Sequence, residues 1–379
     1  MKKLLVLLLL TVFLSGCGKI ELNNATIPLA FGLDSQKDEI LVTTQLANLS
    51  MPKKAQAMNT SQFKVITTRG KTVAEASRNF NLNISAVPLW SQTQIAVLGE
   101  NLSRQDITPI VDFLVRNRYV RKNDLIMVSH QASPEEILSV KPYLEPYTAI
   151  ALKNILKIQE GQVGIYPPIS ANEFIQKLST PGVEPVLPMV GLKKIGDSHQ
   201  VELSGMAVFK KNRMTGQLNE LESRGYFLMR PEIYYGGLFP VFWDKGEKQW
   251  LTIEINSSKA EVIPQIQQQQ LLMKIKIKAD GTFYDQGGSG NLFTREMFRQ
   301  VEKACEKEIA RQLSMCIQKA QLVNSDFLGW GQIVARTEPE FWKSAGPQWD
   351  NIFPTVPYEL DISFKIRRSY ETDKTFVFR

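Results

Sequence analysis

The sequence predicts an α+β protein with a multi-domain mixed α/β arrangement, and three observations carry that expectation. Strand-like and helix-like segments alternate over residues 20–160, the order expected of an α/β layer. Five prolines, Pro167, Pro168, Pro181, Pro185 and Pro188, then interrupt the pattern within residues 164–190. Beyond them, Val356, Tyr358, Leu360, Ile362, Phe364 and Ile366 occupy successive alternate positions. That is a strand with one dry face, as in an antiparallel sheet, and a helical apolar stripe over residues 294–323 is available to cover it. The expected division is a cleaved leader 1–16, an N-terminal mixed α/β domain 17–163, a proline-rich linker with one short helix over 164–196, and a C-terminal α+β region 197–379.

The leader comes first. Lys2 and Lys3 precede an eleven-residue run, Leu4–Leu14, apolar but for Thr11. As a helix it is roughly 16 Å long, against the about 30 Å of a bilayer core. It is too short to span and has the form of a secretory h-region. Small residues follow and then Cys17, so that Leu14-Ser15-Gly16-Cys17 reads as a bacterial lipobox. The expectation is cleavage before Cys17, an S-diacylglycerol on its thiol and a possible further N-acyl chain. Two acyl chains anchor stably where one does so only marginally. Removing residues 1–16 leaves 363 of the 379 residues and takes two of 45 basic residues, for a charge of +5 against 38 acidic ones. That modest excess suits an anionic leaflet and is not clustered enough for nucleic acid.

The body follows in order. "IPLAFGL" and "ILVTTQL" flank the polar "DSQKDE" as a β-hairpin. A strand is expected at Lys64–Thr68. Thr72 then starts a helix with Glu75 three residues on, a capping-box signal. "QIAVL" at 94–98 reads as a buried strand. Ser103 is expected to cap the next helix, whose Ile107, Ile110, Val111 and Leu114 share one face. "DLIMVSH" is a strand, and Ser133-Pro134-Glu135-Glu136 opens a helix. Helical patterning resumes from about Tyr147 to Glu160, and Ser170 with Glu173 caps a short helix. In the second half, a hairpin turns at "KKNR", residues 218–229 are helical, and "LTIEINS" and "LMKIKIK" alternate as strands. The long helix places Met297, Val301, Cys305, Ile309, Leu313, Cys316, Ile317 and Ala320 on one stripe.

Motifs for chemistry are sparse. There are two histidines, His130 and His199, and neither HExxH nor CxxC occurs. No cofactor, metal or catalytic residue is assigned. Gly70-Lys71-Thr72 sits between a strand and a helix like the tail of a phosphate loop, but Val65 replaces the first glycine that loop needs. Cys305 and Cys316 lie eleven residues apart, a rise of about 16 Å on a helix, whereas a disulfide needs Cα atoms about 4.4–6.8 Å apart. They are expected as small buried apolar residues. Glycines 329 and 331 around Trp330 suggest a tight helix-to-strand corner with tryptophans closing the core edge. Gly287–Gly290 is expected as a flexible loop.

Several stretches in a fixed order carry a resemblance. After Cys17 come "ELNNATIPLAFGLD", "GKTVAEASRNF", "IAVLGENLSRQDITPIVDFLVRN" and "SGMAVFKKNRMTGQLNELES", then "LTIEINSSKAEVIP", "SDFLGWGQIVARTEPEFWK" and "ISFKIRRS". Together they resemble the C-subunit lipoproteins of spore germinant receptors, the Ger(x)C family, from Cys17 to about Ser369. The resemblance implies three mixed α and β domains and a non-catalytic subunit required for the response to small nutrients. It implies a place on the outer face of the spore inner membrane beside membrane-embedded A and B receptor subunits. Only Cys17 is carried over as a site residue, as the lipid attachment point.

Two other classes stay open on the residues alone. A solute-binding lipoprotein of a transporter would show two βαβ lobes around a cleft, and the alternating second half argues against it. A wall-modifying hydrolase would need a carboxylate pair, whose spacing is spatial and invisible in one sequence.

Overall fold

The computed structural model describes residues 24–48, 62–117, 120–234, 237–242, 250–268, 270–287 and 294–369. Cys17 and the leader lie outside the described residues, as do residues 288–290 of the glycine loop. Two large sheets organise the rest.

The first sheet has eight strands. In chain order they are β2 (Pro28–Gln36), β3 (Glu39–Ala47), β4 (Phe63–Gly70), β6 (Ile95–Leu98), β7 (Leu125–Ser129), β8 (Val186–Ile195), β9 (Ser198–Lys210) and β10 (Arg213–Leu218). A small parallel pair, β1 (Ala25–Thr26) with β5 (Val87–Pro88), stands beside them. The spatial order is β10-β9-β8-β7-β6-β2-β3-β4. β2, β6, β7 and β8 run parallel in the middle, with antiparallel wings. The expected first hairpin is there, and its turn is tighter than the polar stretch suggested. Only Lys37 and Asp38 intervene, both at positive φ, the conformation whose twist suits a two-residue hairpin.

All four residues of β6 are buried, because helices cover both faces. Ala96 and Leu98 face one cluster with helices α1 (Val73–Asn79), α3 (Thr108–Arg116) and α6 (Ala171–Ser179). Ile95 and Val97 face the other, with α4 (Pro134–Ser139) and α5 (Thr148–Gln162). The four-residue α2 (Glu100–Ser103) follows β6 directly. Ser103 ends α2 rather than capping α3; the carboxylate of Asp106 accepts from Thr108 N at 2.8 Å at the start of α3 instead. The Ser133–Glu136 capping box forms as expected. At α1 the Thr72 hydroxyl accepts from Glu75 N, while the Glu75 carboxylate reaches back to Lys71 N.

The stretch 164–196, expected as a linker, holds α6 and then β8, which pairs with β7 on one side and β9 on the other. β9 and β10, expected in the C-terminal region, complete the same sheet. The prolines misled because they fall where a strand tolerates them. Pro188 sits at the register shift between Pro188 and Val190, and bulges are among the few sheet positions that accept a residue without N–H.

The second sheet has β11 (Glu232–Tyr234), β12 (Leu238–Phe242), β13 (Trp250–Gln267), β14 (Gln270–Gly287) and β15 (Tyr358–Ser369). β13 and β14 form one hairpin of 18 residues each. β15 pairs with β14 in parallel, so the expected antiparallel sheet is antiparallel except at its last strand. Helices α9 (Trp330–Thr337), α10 (Pro339–Ala345) and α11 (Trp349–Ile352) lie between the long helix and β15 and return the chain to the end where β14 begins. Alternation fixes which face is dry, and it does not fix strand direction.

The long helix α8 (Arg295–Leu322) covers the dry face with the expected stripe. Val301, Cys305, Ile309, Leu313, Cys316, Ile317 and Ala320 are all buried, and both cysteines are free. Burial pushes both thiols far above the ordinary cysteine range. Helix α8 also protects the sheet edge. The carboxylates of Glu306 and Glu302 each accept from a β15 amide, Phe364 N and Ile366 N, at 3.1 Å. An exposed strand edge otherwise invites pairing with another chain. Helix α7 (Glu220–Leu228) packs on α8 through Gly225, where a Cβ would lie 2.3 Å from Gln312 O.

The two sheets share core. Met206 and Val208 of β9 point into the cluster under α8, while Ala207 and Phe209 point into the cluster with α6. Burial of Met206, Val208 and Phe209 contributes about 1.5–3 kcal/mol each, so β9 binds both halves with alternate residues.

Candidate functional site

A cleft opens along the junction of the halves, with a volume of about 750 Å³. One wall comes from the start of α3, the end of α6, the loop 180–184 and the β9–β10 turn; the other comes from Asp326 and residues 342–350. Interfaces between structural units are among the preferred places for ligand pockets.

Asp326 organises the back of the cleft. It is 2% exposed. Its Oδ1 accepts from Trp330 N at 3.0 Å, and its Oδ2 accepts from Gly331 N at 2.7 Å and Trp349 Nε1 at 2.9 Å. Burial pushes its carboxyl up to about 6 against the pull of those donors. Thus one carboxyl starts α9 and fixes the Trp349 indole, and Asp326 O accepts from Glu184 N at 2.9 Å.

The glycines of "DFLGWGQ" follow from a backbone crossing. Gly182 has φ +77°, and a Cβ there would lie 2.5 Å from Gly331 C. A Cβ on Gly331 would lie 2.7 Å from Gly182 Cα and from Trp349 Nε1. Gln332 N donates to Gly182 O at 2.8 Å across the same crossing. Gly329, at φ +72°, turns the chain into α9. The corner is therefore helix to helix and not the expected helix to strand. Trp330 does close the core, with 0% exposure and edge contact to Phe353.

Charges sit at the cleft mouth. Lys210 Nζ bonds Asp350 Oδ1 and stands 3.8 Å from Glu184 Oε1, and Lys211 Nζ is 3.2 Å from Asp350 Oδ2. Burial disfavours the Asp350 charge, but the two ammonium groups outweigh it and hold the carboxyl below its usual range. Burial dominates at Glu184 and raises its carboxyl. Trp342 and Trp349 lie with ring centroids 5.3 Å apart at the far wall. The cleft offers an aromatic wall and a charge network that satisfies itself.

Sequence reasoning missed Asp326. The available signal was one acidic residue inside an otherwise apolar, glycine-rich corner. His130, expected to end the strand, comes one residue after β7, its Nδ1 3.4 Å from Glu100 Oε2. Thr72 caps α1, and Lys71 N donates to the Glu75 carboxylate there. Among the described residues no group of His, Cys, Asp and Glu could hold a metal, and no helix is long and apolar enough to cross a membrane.

A family model for the spore germination protein N-terminal domain matches residues 18–192. A second, for the spore germination B3/GerAC-like C-terminal region, matches residues 204–370. Spore germination protein KC of Bacillus subtilis strain 168 is 24% identical over 389 aligned positions, covering 97% of this chain and 95% of that protein. Spore germination protein B3 of the same strain is 22% identical over 383 positions, with 96% of each covered. The crystal structure of the GerBC protein matches with a TM-score of 0.60 at 19% identity, over 89% of this chain and 96% of that one, a likeness of fold. The two family models span both sheets and all but a short stretch between them, and the chain belongs to the Ger(x)C family of spore germination proteins.

Proposed function

We propose that this protein is the C subunit of a spore germinant receptor, held to the membrane by lipid on Cys17 and without catalytic activity of its own. It sits on the outer face of the spore inner membrane beside membrane-embedded A and B subunits and is required for the response to small nutrients. The observation that carries this reading is the reach of the family match. Germination-protein models match residues 18–192 and 204–370, and the relatives that align over nearly the whole chain are named as germination proteins. The lipobox around Cys17 supports the anchor, since two acyl chains suffice for stable attachment.

The test is deletion of the gene in the sporulating host. Loss of optical density is followed across a panel of nutrients. Failure to respond to one nutrient class, restored by the wild-type gene and not by Cys17→Ala, is the expected result. An unchanged response in a strain stripped of its other receptors would overturn the reading.

A further inference from the structure

We propose that the turn at residues 81–87 rests on the membrane surface, with the Leu82 side chain entering the lipid headgroup region. This rests on the lipid attachment at Cys17 proposed above. Leu82 is 80% exposed and Val87, which follows on the same turn, 42% exposed. Lone exposed apolar residues mean little, but the position of these two is constrained. Val87 pairs with Ala25 in the β1–β5 ladder, so the turn lies where the chain emerges toward its anchor. Seven residue-to-residue steps lead from Cys17 to Asn24. Fully extended they span at most about 25 Å.

That reach decides between two apolar surfaces. Tyr143, Leu144 and Ile195 form a second exposed group, joined by the Tyr143 hydroxyl to Ser198 Oγ contact at 2.9 Å. It lies at the opposite end of the first sheet. Leu33, Leu98, Val128 and Met189 share one level across the parallel strands. Thr26 comes seven residues before that level and Ile195 six residues after it. At about 3.3 Å per residue the two ends are roughly 40 Å apart. The tether cannot bring the lipid to the Ile195 end, whereas the 81–87 turn is within its range.

The turn is also built to meet an anionic surface. From Ala76 to Gly99 the chain has no acidic residue and one charged side chain, Arg78, so nothing there repels a negative leaflet. It is held in shape as well. Asn81 Nδ2 donates to Ala86 O at 2.9 Å, Leu89 N donates to Thr26 O at 2.9 Å, and Phe80 packs edge-on against Trp90.

The full-length lipidated chain, reconstituted in phosphatidylglycerol–phosphatidylcholine vesicles with spin-labelled lipid, tests this. A fluorophore is placed at Leu82→Cys, or at Val87→Cys as a second position, and at Ile195→Cys for the far end. Buried Cys305 and Cys316 stay unlabelled. Mass spectrometry first establishes diacylglycerol on Cys17. The expected result is quenching several-fold stronger at 82 and 87 than at 195. Equal quenching at 195, or none at 82 and 87 in the lipidated protein, overturns the membrane placement and leaves the anchor standing. An unmodified Cys17 overturns the anchor and the placement together.

Discussion

Replacing Asp326 with alanine removes the one acceptor shared by Trp330 N, Gly331 N and Trp349 Nε1, at 3.0, 2.7 and 2.9 Å. A buried donor left without a partner costs about 1–3 kcal/mol. Water entering from the adjoining cleft recovers part of that for the donors nearest it. The expected loss is about 3–5 kcal/mol, the sum over three such donors less what water restores. Native stability is only about 5–15 kcal/mol, so the loss is a large fraction of it. Urea unfolding followed by tryptophan fluorescence measures it, and three of the rings involved report the site directly.

The pH dependence supplies a sign. The folded carboxyl titrates at about 6, above its ordinary 3.8, because burial disfavours the charge. A raised acid stabilises the fold fully below its unfolded value, and that contribution is lost as pH rises through the folded value. The penalty for alanine is therefore larger at pH 5 than at pH 8, by about 1 kcal/mol. A loss below about 1 kcal/mol at both pH values, or a larger loss at pH 8, would refute this account of the corner.

Three further outcomes are expected elsewhere in the fold and at the same crossing. Gly182→Ala combines φ +77° with a Cβ 2.5 Å from the Gly331 backbone, and thermal unfolding should show a loss of about 2–4 kcal/mol; Gly196→Ala, at φ +59° with open space around it, should cost only the left-handed penalty of about 1–2 kcal/mol. Cys305 and Cys316, buried and with raised thiol pKa, should resist a thiol reagent at pH 8 in the native protein and react fully in urea. Rapid labelling of the native fold would show that α8 leaves the sheet far more readily than its packing implies.

Most local structure was legible in the residues. The caps at Thr72, Ser133 and Ser170 form where short polar side chains precede a glutamate, because capping is settled within one turn of chain. The stripe of α8 and the alternation of β15 mark buried faces correctly, since periodicity records which side is dry. Cys17 was equally plain as a motif, and it lies outside the described residues.

Three features were decided only by tertiary structure, each for the same reason. β8 runs through a proline-rich stretch because its partners β7 and β9 supply the pairing and Pro188 falls at a bulge. β15 runs parallel to β14 because three short helices carry the chain back before it enters the sheet, and alternation is blind to direction. Asp326 matters because folding brings Gly182, 149 residues from Gly331 in the chain, into backbone contact with it and drops Trp349 alongside. The sequence by itself determined caps, faces and, through the order of its stretches, the family. Strand direction, the shared core of β9 and the Asp326 corner depend on residues far apart in the chain, and local preference holds no information about which distant surface arrives.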